Sequence, residues 1–109
     1  MTRDPIAVAV DAANRVQTSK RRGTLLNAVR HFRHVLSAVR DESLGPVTSD
    51  DVRRLQQLCD DVVEHIEVCL PDGTTPEARR LVDAIYEIRA LLEDTARGRF
   101  HYASTVRHR

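Results

Sequence analysis

One apolar spacing, four residues then three, occurs three times in this chain. It appears as Leu25, Val29, Phe32, Leu36 and Val39, as Leu55, Cys59, Val62, Ile66 and Cys69, and as Leu81, Ile85, Ile88, Leu92 and Thr95. A side chain placed this way returns to the same side of an α-helix on every turn, whereas a strand would need alternation by twos. Each seam spans only a few turns, so the stripes are expected to close on one another within the chain rather than in an extended coiled coil.

A fourth helix precedes them. Asp4 suits an N-cap and Pro5 the first helical position. Ile6, Ala9, Ala13 and Val16 then share one side, with Val10 beside them, although Val8 and Val10 leave a strand open here. This helix is expected to end in Lys20-Arg21-Arg22-Gly23, with Gly23 in the left-handed cap. The second is expected from Thr24 to Glu42, stopped by Leu44-Gly45-Pro46. Thr48, Ser49 and Asp50 compete to cap the third, and Pro71-Asp72-Gly73 signals a turn after it. Thr74 or Thr75 caps the fourth, with Thr74 and Glu77 at capping-box spacing, and Gly98 is expected to close it.

The expectation is an all-α antiparallel four-helix bundle, up-down-up-down, over residues 1–98, followed by a basic, flexible tail over 99–109. A length of 109 residues fits one domain with one core. Aromatic residues make up 4% and Trp is absent, so aliphatic side chains must fill that core. Dimerisation through the same faces is left open. No apolar run reaches the ~20 residues of a membrane span. The start, MTRDPIAVAVDAANR, lacks the layout of a secretory signal. Cys59 and Cys69 fall ten residues apart on one helix, ~15 Å along its axis and too far to bridge. Reduced thiols in a cytoplasmic protein are the simplest reading. A single Lys among 17 basic residues points to a GC-rich bacterial or phage source.

Net charge is +1, but it is unevenly distributed. Residues 1–40 hold eight Lys/Arg against two Asp, 41–94 hold five Arg against fourteen Asp/Glu, and 95–109 hold four Arg and no acid. Such segregation bears on association rather than on fold. It singles out Lys20, Arg21, Arg22, Arg30, His34, Arg97 and Arg99 as basic contact residues, and Asp60, Asp61 and Glu64 as acidic ones.

Sites for chemistry are weaker. His31 and His34 are three residues apart, but the helical wheel puts His34 outward and His31 on a flank, without the glutamates or second His pair of a metal-holding bundle. Asp61, His65 and Cys69 repeat at one-turn intervals, spread over more than ~10 Å, too far for one ion without another helix. Buried cysteines flanked by a histidine are the favoured reading there. No hydrolytic triad and no phosphate-cradling glycine loop occurs. Neither a cofactor nor a metal is expected. His34, followed by Ser37 and Ala38 and preceded by Arg30, resembles the phosphorylated histidine of phosphotransfer domains, which are themselves four-helix bundles. That family's Lys-Gly after the histidine has no counterpart here, so a solvated histidine on a basic helix is preferred.

The expected function is therefore that of a non-enzymatic interaction module whose charged surfaces meet a protein partner. The alternatives are a nucleic-acid-associated regulator using the Arg-rich loop and tail, with Phe100 and Tyr102 for stacking, and phosphotransfer through His34.

Overall fold

The computed structural model describes residues 4–70 and 75–108, with side chains through Glu93. It is all-helical: α1 spans Pro5–Thr18, α2 Arg22–Arg40, α3 Ser49–Cys69 and α4 Pro76–His108. No strand occurs among the described residues, and no described helix is long and apolar enough to cross a membrane.

All three seams turn inward. Leu25, Val29, Phe32, Leu36 and Val39 are completely buried, and so are Leu55, Val62 and Ile85. Cys59, Ile66, Ile88 and Leu92 are buried as well. Cys69 and Leu81 are half-buried at the margin, and the side chain of Thr95 lies outside the described ones. The apolar stripes are wider than a two-position seam, because Leu26, Val35, Val52 and Val63 are also buried. That width suits α2 and α3, each of which packs on more than one neighbour.

On α1 the inward side is Ile6, Ala9, Ala12, Ala13 and Val16. Val10, expected beside that stripe, is exposed. Ala12 takes its place, since 100° per residue carries position 12 toward 9, 13 and 16 and position 10 away from them. Three alanines let the backbone of α1 come close to both its neighbours, α2 and α3.

The ends of the helices follow their caps. Asp4 Oδ1 accepts from the Ile6 N–H at 3.0 Å and opens α1. Its far end is not closed by Gly23. Ser19 is the C-cap in extended backbone. The Thr18 and Ser19 hydroxyls donate to the carbonyls of Asn14 and Arg15 at 3.0 and 2.6 Å. With those carbonyls satisfied, no left-handed glycine is needed, and Gly23 falls inside the first turn of α2.

At the end of α2 the left-handed residue is Glu42, with φ 60°. The Ser43 N–H donates to Ala38 O and the Glu42 N–H to Val39 O, the paired bonds of a Schellman closure. Thr48 wins the competition to cap α3. Its Oγ1 accepts from the Asp51 N–H at 3.1 Å, while Asp51 Oδ2 accepts from the Thr48 N–H at 3.0 Å. Thr75 caps α4, accepting from the Ala78 N–H at 3.3 Å. Thr74, the other candidate, lies outside the described residues, as does the turn 71–74.

The helix end expected at Gly98 does not occur. α4 continues to His108; a glycine inside a helix costs only ~1 kcal/mol and ends one only when it turns left-handed.

α1 packs on α2 and α3, and α4 packs on the same two. α2 and α3 meet only lightly, and α1 and α4 make no contact among the described residues. The order around the bundle is thus α1, α2, α4, α3. The molecule measures 54 × 31 × 17 Å, so its cross-section is flattened. α2 and α3, still touching, span the short diagonal, with α1 and α4 at the ends of the long one.

Candidate interaction surfaces

The flattened section decides where the charge goes. α2 carries Arg22, Arg30, Arg33 and Arg40 with no Asp or Glu. α3 carries six acids, Asp50, Asp51, Asp60, Asp61, Glu64 and Glu67, against Arg53 and Arg54. These are the two helices on opposite sides of the bundle, so the segregation read along the sequence becomes a basic side and an acidic side.

On the basic side Lys20, Arg21, Arg22, Arg30, Arg33, His34 and Arg40 are exposed. Arg30 is engaged within the molecule, donating to Asn27 Oδ1 at 2.9 Å and forming an ion pair with Glu77 of α4. Arg40 lies 3.8 Å from Asp41. Among the described residues Lys20, Arg21, Arg22 and Arg33 have no ion-pair partner. His31 and His34 are both exposed, and Ser37 and Ala38 beside His34 are half-buried. The basic side chains at 97 and 99 lie outside the described side chains.

On the acidic side Asp60 is committed inward to α4. Arg89 Nη2 donates to Asp60 Oδ2 at 3.3 Å and Arg89 Nε lies 3.1 Å from Oδ1. That Nε is buried, with the carboxylate as its charge partner but no well-aligned acceptor. Asp61, half-buried, accepts from Gln57 at 3.0 Å. Glu64 and Glu67 are exposed. An open depression of about 390 Å³ between α1 and α3 is lined by Gln17, Asp61, Glu64, His65 and Val68. Val68, at 70% exposure, is the most exposed large apolar side chain among the described residues.

The stripe Asp61, His65, Cys69 resolves into a structural contact. His65 Nε2 lies 3.0 Å from Ser19 O and 3.4 Å from Cys69 Sγ. A carbonyl can only accept, so Nε2 carries the proton and cannot also take one from the Cys69 thiol. This removes the base that a nucleophilic cysteine would need. No three His, Cys, Asp or Glu groups among the described residues converge as a metal would require. His65 instead ties the last turns of α3 to the end of α1, a role that sequence spacing does not disclose because Ser19 is 46 positions away.

Burial pushes the Cys59 thiol up to about 12, with Asp60 adding to the rise and Arg89 opposing it. A thiol held protonated in this way is a packing group and not a nucleophile.

Compared with protein-family models, curated proteins and solved structures, the chain matches none of them.

Proposed function

We propose that the chain is a non-enzymatic cytoplasmic module of antiparallel helices that binds a protein partner through one of two oppositely charged sides. The observation that carries this reading is the placement of acid-free α2 and acid-rich α3 on opposite sides of the bundle. Gln56 pairs with Glu93 and Asp60 with Arg89, so the contacts move back along α4 as they advance along α3, which supports opposite directions for those two helices. The three-residue link 19–21 supports the same for α1 and α2. The further support is chemical: among the described residues His65, Cys59 and Cys69 are held in structural contacts, while His31 and His34 are exposed. Charge complementarity of this type speeds association and fixes orientation.

Affinity capture from extracts of the native host tests it, using the wild type, Arg33→Glu, and a Glu64→Arg/Glu67→Arg double variant. The expected result is a protein partner held by the wild type and lost with one charge-reversed variant but not the other. Retention by both, or no partner at low salt, overturns the reading.

A nucleic-acid reading has one observation in its favour: Lys20, Arg21 and Arg22, without ion-pair partners among the described residues, run into the basic side of α2. It requires DNA or RNA affinity that falls steeply with salt, with a shallower slope in Arg21→Gln/Arg22→Gln.

A further inference from the structure

We propose that the acidic side of one copy docks onto the basic side of a second copy, so that the protein self-associates head to tail. The inference rests on the two-sided reading above and names a partner for it. Both halves of a complementary pair are carried by the same chain, on helices of nearly equal reach, 19 residues in α2 and 21 in α3. At ~1.5 Å per residue both are about 30 Å long, so the two surfaces can meet along their length. A net charge of only +1 leaves little overall repulsion between copies.

The contact has a specific centre. Asp61 and Glu64 rim the open depression between α1 and α3, and Val68 lines it. An arginine entering there lays its apolar stem on Val68 and its guanidinium between two carboxylates. Arg33 is the side chain fitted for this, exposed near the middle of α2 and without an ion-pair partner among the described residues, whereas Arg30 is held by Glu77.

Geometry also fixes how the association grows. α2 and α3 lie on opposite sides, so a two-fold pair cannot use both contacts at once. The interface is heterologous, and it propagates until a ring closes or continues as a chain. Two helix surfaces meeting this way bury less than the ~1,600 Å² of a standard stable interface, so the association is weak and salt-sensitive.

Sedimentation velocity of the full chain tests this at about 20 mM and about 500 mM salt, across a range of protein concentrations. At low salt the weight-average sedimentation coefficient is expected to rise with concentration past the dimer, and at high salt to fall to the monomer value. Arg22→Glu/Arg33→Glu and Glu64→Arg/Glu67→Arg are each expected to be monomeric at low salt, and their equimolar mixture to associate again. All four positions are exposed; should either reversed variant unfold by circular dichroism, the Arg33→Gln and Glu64→Gln variants give the same readout with weakened association. A wild type monomeric at low salt overturns the proposal. So does association that stops at a dimer, that ignores salt, or that survives either reversal. A monomeric wild type whose charge variants still lose a host partner defeats this inference alone; if the host partner is also indifferent to charge, the two-sided reading fails with it.

Discussion

The thiol of Cys59 keeps its proton in the folded chain to about pH 12, against 9.0 for a free thiol, because ionising it would place a charge in the core. Below about pH 9 the folded and unfolded chains both hold that proton, and Cys59 adds nothing to the pH dependence. Between about 9 and about 12 only the unfolded chain gives it up, so stability falls as pH rises. Thermal melts of the wild type and of Cys59→Ala from pH 8 to 11 are expected to diverge, the wild type losing stability more steeply above pH 9; parallel curves would contradict the burial. Individual residues were legible in the sequence where one rule governs them, as with Asp4 as a cap, whereas Thr48 was only one of three candidates. They were not where a distant group decides. Gly23 offered a left-handed cap, but the Thr18 and Ser19 hydroxyls had already satisfied the end of α1. The sequence favoured His65 as a structural residue beside Asp61 and Cys69, but not its partner, the Ser19 carbonyl at the end of α1.

At the scale of the element, α1 shows what small side chains accomplish. Ala9 and Ala12 are completely buried and Ala13 almost so. A longer side chain there has no space to enter without driving α1 away from α2 or α3. Ala13→Leu is therefore expected to destabilise the fold by about 1–3 kcal/mol, read from urea unfolding, whereas Ala7→Leu, at an exposed position, is expected to change stability by no more than about 0.5 kcal/mol. Equal effects at the two positions would mean that α1 is not packed as described. The seams of α2, α3 and α4 could be read from spacing alone because apolar burial imposes the helical period directly. The length of α4 could not, since a glycine such as Gly98 can end a helix or sit within one, and the sequence does not say which. Nor could the extra buried positions Leu26, Val35, Val52 and Val63, which reflect how many neighbours each helix has.

At the scale of the whole molecule, the order of helices around the bundle converts a linear charge pattern into a spatial one. The runs of charge are plain in the sequence, but the sequence leaves open whether α2 and α3 lie side by side, where opposite charges would neutralise each other, or across the core. The short loop 19–21 and the link from α3 to α4 pair helices one with two and three with four, and the packing of α1 on α3 and of α2 on α4 sets the basic and acidic helices apart. Any recognition by charge follows from that separation. The most direct measurement is an amide chemical-shift titration at low salt with poly-glutamate and, separately, with poly-lysine peptides. The account predicts that poly-glutamate perturbs Lys20–Arg22 and the outer residues of α2, that poly-lysine perturbs Asp61, Glu64, Glu67 and their neighbours on α3, and that the two sets do not overlap. Shifts spread over the same residues with both peptides would contradict it.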